Sequence, residues 1–382
     1  MKIVHLCLAC FFPDNYSYQE NVLPKFHKAL GHEVEVIASL QSFDKNGKVC
    51  YLSYMEPYIN ENDLLVTRLD YKKPIGFNRK MKRFDGLKEA LEKAKPDVLF
   101  IHGCQFLDIN IVVNYLKTHR IIKVYVDNHA DFSNSATNWI SLNILHKVIW
   151  KHCAHRILPY TEKFYGVLPA RVDFLKNIYK LPENKIELLV MGAEDDKVEE
   201  AMNLSVRKEL RKKYGIEEED FLVVTGGKID KAKQQILLLM EAIQKLNVNS
   251  IKVKLIVFGS VIPEMRDVVE ASQSTNVKYI GWVNSAETYK YFGMANLVCF
   301  PGRHSVFWEQ VAGMGIPMLV KYWNGTTHVD MDGNVEFLYQ DSVQEIQEKL
   351  QKMIENYSAM KQIAVEKRRE FLYSGIAEKS LR

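Results

Sequence analysis

Long apolar runs, clustered cysteine pairs and a surplus of either charge are all missing from this sequence. No apolar stretch approaches the ~20 residues that a membrane span needs. The six cysteines are Cys7, Cys10, Cys50, Cys104, Cys153 and Cys299. Only Cys7 and Cys10 are close, and no second pair completes a zinc site. They read as buried free thiols of a reducing compartment, the cytoplasm. With 51 Lys and Arg against 47 Asp and Glu, the formal net charge is +4, too mild to imply a nucleic-acid partner. Two nucleotide fingerprints are absent as well. There is no GxxxxGK[ST] loop, which excludes a Walker-type NTPase, and no GxGxxG after a strand, which excludes a dinucleotide oxidoreductase. The opening MKIVHLCLACFF is apolar but short, lacks a small-residue cleavage site and runs into Pro13-Asp14-Asn15. It reads as a first buried strand, not a signal peptide.

What is present is an alternation. The chain has 382 residues, 47% hydrophobic, enough for two domains. Strands are expected at Lys2–Ala9, His32–Ser39, Val98–His102, Lys123–Asp127 and Arg156–Tyr160. Helices are expected at Glu20–Leu30, Gly86–Lys95, Ile109–Thr118 and Ile140–His152. The pattern then restarts, with strands at Phe221–Thr225, Lys252–Phe258, Lys278–Ile280, Leu297–Phe300 and Met318–Lys321. The helices of this half are Val206–Tyr214, Gln234–Leu246, Met265–Ser272, Ala286–Met294 and Val343–Asn356. Continuous apolar strands alternating with helices imply α/β architecture with parallel sheets covered on both faces. The polar stretch Gly192–Ser205 marks the boundary. We therefore expect domains at 1–195 and 196–365, and a tail, 366–382, packing back on the first domain. Ligands of such sheets bind at the carboxyl ends of the strands, so a site is expected in a cleft between the two.

Two segments carry chemistry. Val223-Val-Thr-Gly-Gly-Lys-Ile-Asp-Lys-Ala-Lys233 ends a strand in a glycine pair and then offers cations before a helix. Glycines permit close backbone approach, and lysines suit a diphosphate; a tight turn with a solvated helix start would look the same. The second runs from Phe300-Pro-Gly-Arg-His-Ser to Gly315-Ile-Pro317. It places His304 and Ser305 at a helix start, where free N–H groups and the dipole favour phosphate. Glu309 follows one turn later, a carboxylate able to accept two ribose hydroxyls; Ser305 as a plain N-cap is the simpler alternative. Asp330 and Asp332 form a D-x-D string that reads as a polar loop.

Together the two segments resemble the C-terminal domain of family 4 glycosyltransferases and their GT-B relatives. The resemblance implies a GT-B fold: two doubly wound Rossmann-like parallel-sheet domains facing across a cleft. It implies that Gly227, Lys228 and Lys233 stand where the family's Gly-Arg-x-x-x-x-Lys segment grips the donor diphosphate. Lys228 replaces the arginine, keeping charge but losing the bidentate fork. Gly281 is similar to the family's strand-end glycine. The family's two glutamates eight positions apart are reduced here: Gln310 occupies the second place, with Glu309 beside it, and the first has no counterpart. The loop Gly302, Arg303, His304, Ser305 is similar to the phosphate loops of other GT-B enzymes and of nucleotide-sugar epimerases. In the first half, Leu30-Gly-His-Glu-Val34 and Pro96-Asp97-Val98 to His102 resemble family segments. Pro13–Glu20 replaces the usual glycine-rich loop.

Asp127, His129 and Asp131 lie at a strand end of the first half. Resemblance assigns His129, with Asp127 beside it, to the reacting sugar or acceptor; a capped turn is the structural alternative. No metal is expected, because GT-B enzymes meet the leaving diphosphate with protein cations. The implied activity is transfer of a sugar from a nucleotide-sugar donor, UDP-linked, to a glycan or lipid-linked acceptor. Retention and cell-surface polysaccharide biosynthesis are implied with it. Alternatives are a nucleotide-sugar 2-epimerase and a non-catalytic scaffold. Clusters at Lys72–Lys73, Arg79–Arg83 and Arg207–Lys213 are either solvated faces or a peripheral contact with anionic membrane lipid.

Overall fold

Strands built from unbroken apolar runs pack on both faces, and here they do so twice. The computed structural model describes residues 1–44, 48–248, 251–284 and 287–382. The chain divides into one unit of Met1–Val190 plus Ile376–Arg382 and a second of Met191–Gly375.

The strands of the first unit are β1 Lys2–Cys7, β2 Glu33–Ser39, β3 Gln41–Phe43, β4 Val49–Tyr51 and β5 Tyr58–Ile59. They continue with β6 Leu65–Leu69, β7 Val98–His102, β8 Lys123–Asn128, β9 Thr161–Gly166 and β10 Ile186–Leu188. Eight of them form one sheet in the order β10-β9-β8-β7-β1-β2-β6-β5, parallel except for β5. Strands β3 and β4 pair separately. Chain order runs outward in opposite directions from β1 and β7, so the topological switch point lies between them. Apolar residues at i and i+4 explain the covering helices. Leu87 and Leu91, then Val112 and Leu116, bury against Leu99, Ile101, Val124 and Val126.

The second unit holds β11 Phe221–Gly226, β12 Val253–Phe258, β13 Val277–Tyr279, β14 Leu297–Phe300, β15 Met318–Lys321 and β16 Val335–Leu338. Their order is β13-β12-β11-β14-β15-β16, all parallel. Counted within the unit this is 3-2-1-4-5-6, the order of a dinucleotide-type doubly wound sheet. Its switch point falls between β11 and β14, the two strands that end in the chemistry-bearing segments. The expected pair of Rossmann-like parallel sheets is therefore what the chain forms.

Several expectations need correction. Arg156–Tyr160 is not a strand. It finishes a helix, Lys151–Ile157, and enters a 3₁₀ turn, Leu158–Tyr160, that carries Pro159. The strand is the next segment, Thr161–Gly166, whose Glu162 and Lys163 hid it. Ile140–His152 contains a π-helical stretch, Ser141–Trp150. The units divide at 190/191, just before the polar stretch Gly192–Ser205, within which Asp195–Ala201 is helical. Only Ile376–Arg382, not all of 366–382, groups with the first unit. Ala286, the first residue expected in one helix, lies outside the described residues; that helix is Thr288–Gly293.

The basic clusters are largely used internally. Lys82 binds the Ala9 carbonyl, Lys72 and Arg83 pair with Asp108, and Arg79 lies over the Tyr51 ring. Arg207 donates to the Gly293 and Ala295 carbonyls, and Arg211 to Met294 and Asp220. Among the described residues no helix is long and apolar enough to cross a membrane. All six cysteines are free, four of them buried.

Candidate functional site

In the second unit the loops after β11 and β14 meet. Gly226, Gly227, Lys228 and Lys233 from the first, with Gly302, Arg303 and Ser305 from the second, line one pocket. The first loop is held by backbone pairing to the end of β12: Gly227 N–H donates to Phe258 O at 3.1 Å and Ile229 N–H to Ser260 O at 2.8 Å. That pairing draws Gly259 against Gly227. A Cβ on Gly259 would stand 1.8 Å from the Gly227 carbonyl oxygen. Both residues have left-handed φ values, +129° and +123°, which glycine alone adopts without strain. Gly226 is similarly constrained by the Phe258 ring, 2.2 Å from where its Cβ would be. The glycines thus let the backbone turn tightly and bring the lysine ammoniums to a single edge.

The cations differ in setting. Lys228 is largely exposed and pairs loosely with Asp230 at 3.5 Å. Lys233 is half-buried; burial lowers its pKa, and Lys228 adds repulsion that Asp230 partly offsets. An anion in the pocket relieves that repulsion.

The helix after β14 is Phe307–Gly313, with Val306 at its N-cap and no side-chain cap. His304 and Ser305 lie near its N-terminus, in the residues just before the cap: the Ser305 carbonyl accepts from Trp308 N–H at 3.0 Å, but the Ser305 side chain does not cap the helix. His304 instead turns to Glu309. Its Nε2 lies 2.8 Å from Glu309 Oε1, and His328 Nε2 lies 2.8 Å from the same oxygen. Burial would raise the Glu309 pKa, but the two imidazoles outweigh it and hold the carboxyl well below its usual range. Glu309 is therefore a buried carboxylate with Oε1 doubly engaged. Its Oε2, the His328 Nδ1 and Gln310 Oε1 are buried without a hydrogen-bond partner. Buried acceptors left unpaired are costly, which makes them places where a ligand's donors would be welcome.

His328 belongs to the segment expected to be a polar loop. Its neighbours Asp330 and Asp332 behave as one: Asp330 accepts from Gly333 N–H, and Asp332 pairs with Lys367. His328 does not, because the 3₁₀ turn Thr327–Val329 buries its side chain on Glu309. Gly259 was also missed; a glycine directly after an apolar strand was its only signal.

In the first unit, Asp127 ends β8 fully buried. Burial would raise its pKa, but His102, Nδ1 2.7 Å away, and His129, Nε2 3.4 Å away, hold it well below the usual range. His129 keeps some exposure and has Glu20 at 3.8 Å. Burial opposes its protonation, while Glu20 and Asp127 prevail and raise its pKa. Asp131 is separate: it binds Arg171 at 3.1 Å and caps Ser133. In both histidine–carboxylate groups, His102–Asp127–His129 and His304–Glu309–His328, the polar atoms lie within 4.8 Å of one another. Imidazole–carboxylate contacts account for that spacing in each.

Residues 206–370 match the family model described as "Glycosyl transferases group 1". No curated protein sequence matches the chain. Among solved structures, a glycosyltransferase from Rickettsia africae is similar at 14% identity and TM-score 0.64, over 100% of this chain and 96% of that one. Anabaena HepE, solved with UDP and glucose, is similar at 13% identity and TM-score 0.62, over 99% and 98%. The UDP-GlcNAc 2-epimerase of Neisseria meningitidis, bound to UDP-GlcNAc, is similar at 14% identity and TM-score 0.63, over 100% and 99%. At these identities the likeness is one of fold, the two-domain GT-B fold that the sequence led us to expect.

Proposed function

We propose that this chain, whose residues 206–370 match the group 1 glycosyl transferase model, is a glycosyltransferase that takes a nucleotide-sugar donor, UDP-linked, held in the second unit. The observation that carries this reading is the meeting of the β11 and β14 loops at the switch point of a 3-2-1-4-5-6 sheet, glycine-lined and cationic. Lys228 and Lys233 take the diphosphate, with Gly227 and Gly302 allowing backbone approach and Arg303 and Ser305 closing the other side. Glu309 or Gln310 takes the ribose hydroxyls, since both carry a buried acceptor without a donor. His304 and His328 keep the Glu309 carboxylate ionised and oriented.

The acceptor, a glycan or lipid-linked hydroxyl, falls to the first unit, with His129 as the group that meets it and Asp127 behind it. The acceptor oxygen bonds to the anomeric carbon as the carbon–phosphate oxygen bond breaks. The hydroxyl proton passes to the leaving phosphate on the same face, which gives retention. The lysines stabilise the charge that develops there, so no metal is required. This cytoplasmic chemistry suits the building of surface polysaccharide.

Calorimetric titration of the full chain with UDP-, GDP-, CMP- and ADP-sugars tests the reading. One base class should bind, and Lys228→Ala and Glu309→Ala should each weaken it about 10- to 100-fold, the value of a charge-assisted contact. No binding at millimolar donor would end this proposal. Transfer measured after EDTA treatment should be unchanged; loss restored by a divalent ion would overturn the metal-free reading.

A further inference from the structure

Behind Asp127 lies a run of histidines that the transfer reading does not use. His5 on β1, His27 on the helix Gln19–Ala29 and His102 at the end of β7 are each fully buried. They connect in a line. His102 Nδ1 lies 2.7 Å from Asp127 Oδ2, and His102 Nε2 lies 2.9 Å from His5 Nδ1. His5 Nε2 lies 3.0 Å from His27 Nδ1, and His27 Nε2 lies 2.8 Å from Ser380 Oγ and 3.3 Å from the Ala377 carbonyl. Ser380 Oγ itself donates to Ala377 O at 2.9 Å.

We infer that His27, His5 and His102 hold one buried proton as a closed chain, and that His102 thereby positions His129 by placing a cation on the carboxylate the two share. An ionised carboxylate only accepts, and Ser380, whose one hydroxyl proton goes to the Ala377 carbonyl, can only accept from His27, so both ends of the chain demand a proton from the imidazole that faces them. Each of the two junctions between rings also needs one proton. Four protons on six nitrogens is one more than three neutral imidazoles carry. One ring is therefore an imidazolium. Reversing the polarity would take Ser380 from Ala377 and leave the His27 nitrogen facing a bare carbonyl.

The charge settles on His102. Asp127 is the carboxylate in contact with the chain; burial works against charge on His102, but Asp127 outweighs it. Cys7 and Glu20 add to that pull. His5 and His27 are pushed the other way, first by burial and then by neighbouring imidazoles, with His32 near His27. Phe100 stacks on His5 and lies tilted against His102, and helps keep water out.

His129 feels the result. It faces Glu20 from the first helix and Asp127 from β8, with Arg171 beyond. With a cation on His102, one of those two carboxylates is already neutralised. The His129 ring then loses its proton at a lower pH than two bare carboxylates would allow.

The full chain labelled with ¹⁵N-histidine decides the matter by NMR. At pH 7 one buried ring should show two protonated nitrogens and two should show single tautomers. In His102→Gln the imidazolium signal should vanish and the His129 midpoint should rise by about one pH unit or more. The wild-type spectrum stands by itself if that variant fails to fold. Three neutral buried rings at pH 7, or an unmoved His129 in folded His102→Gln, would overturn the inference. Neither readout depends on which sugar or acceptor the enzyme uses.

Discussion

Gly259→Ala should unfold the β11 loop more effectively than removing any of its cations. The added methyl would lie 1.8 Å from the Gly227 oxygen, a backbone atom that cannot rotate away. Relief requires breaking the pairing of Gly227 and Ile229 with Phe258 and Ser260. Alanine also strains at φ +129°. Backbone strain of this kind costs ~1–3 kcal/mol, and the clash adds to it, so a loss of about 3 kcal/mol or more is expected. Donor affinity should fall at least ~10-fold, because Lys228 moves with the loop. Gly281→Ala is the control. Its φ is also positive, +81°, but nothing lies within 4 Å of its Cβ position. It should cost only about 1 kcal/mol and leave donor binding intact. Urea unfolding and donor titration of both variants check this; equal losses would mean that strain, not collision, sets the cost.

The contrast between Gly259 and Lys228 shows what sequence order can carry. Lys228 and Lys233 lie in one segment, so strand, glycine pair and cations are visible as a string. Gly259 acts on that string from a different strand, and only the pairing of β11 with β12 brings it there. The histidines divide the same way. His304 and Glu309 are near neighbours in the chain, whereas His328 arrives from beyond β15 and its turn looked like solvent-facing polar sequence. His5 and His102 lie inside the apolar strands KIVHLC and VLFIH, where the expected strand pattern covers both. That pattern could not reveal that β1 and β7 lie side by side and hand one another a proton. Strands with an apolar, buried run, such as Leu297–Phe300 and the Met318–Val320 part of Met318–Lys321, were legible to the residue because burial on both faces leaves no alternative pattern. Thr161–Gly166 was not, because Glu162 and Lys163 interrupt the apolar sequence of a strand that is otherwise buried.

Stability should peak near neutral pH and fall on the alkaline side because of His102. Burial lowers the proton affinity of its ring, but the Asp127 carboxylate, aided by Cys7 and Glu20, overrides that and raises the pKa from 6.5 to about 9. A group whose folded pKa is raised stabilises fully below its unfolded value, and the contribution is lost as pH climbs through the folded one. The window is therefore pH 6.5 to about 9, and its depth is about 3 kcal/mol. His129, also raised, adds a loss of the same sign. Below pH 6.5 the sign reverses. His27, lowered to about 3 chiefly by burial, and His5, lowered with it, stay neutral when folded and protonate when unfolded, so acid erodes stability from that side. Urea midpoints of the wild type at pH 6.5 and pH 9.5 should differ by an amount that His102→Gln largely abolishes. That variant should already be weaker at pH 6.5, since Asp127 is left buried without its cation. A wild type with no alkaline fall would mean that His102 is neutral when folded, and then the chain of imidazoles must end in Ser380 as a donor rather than as an acceptor.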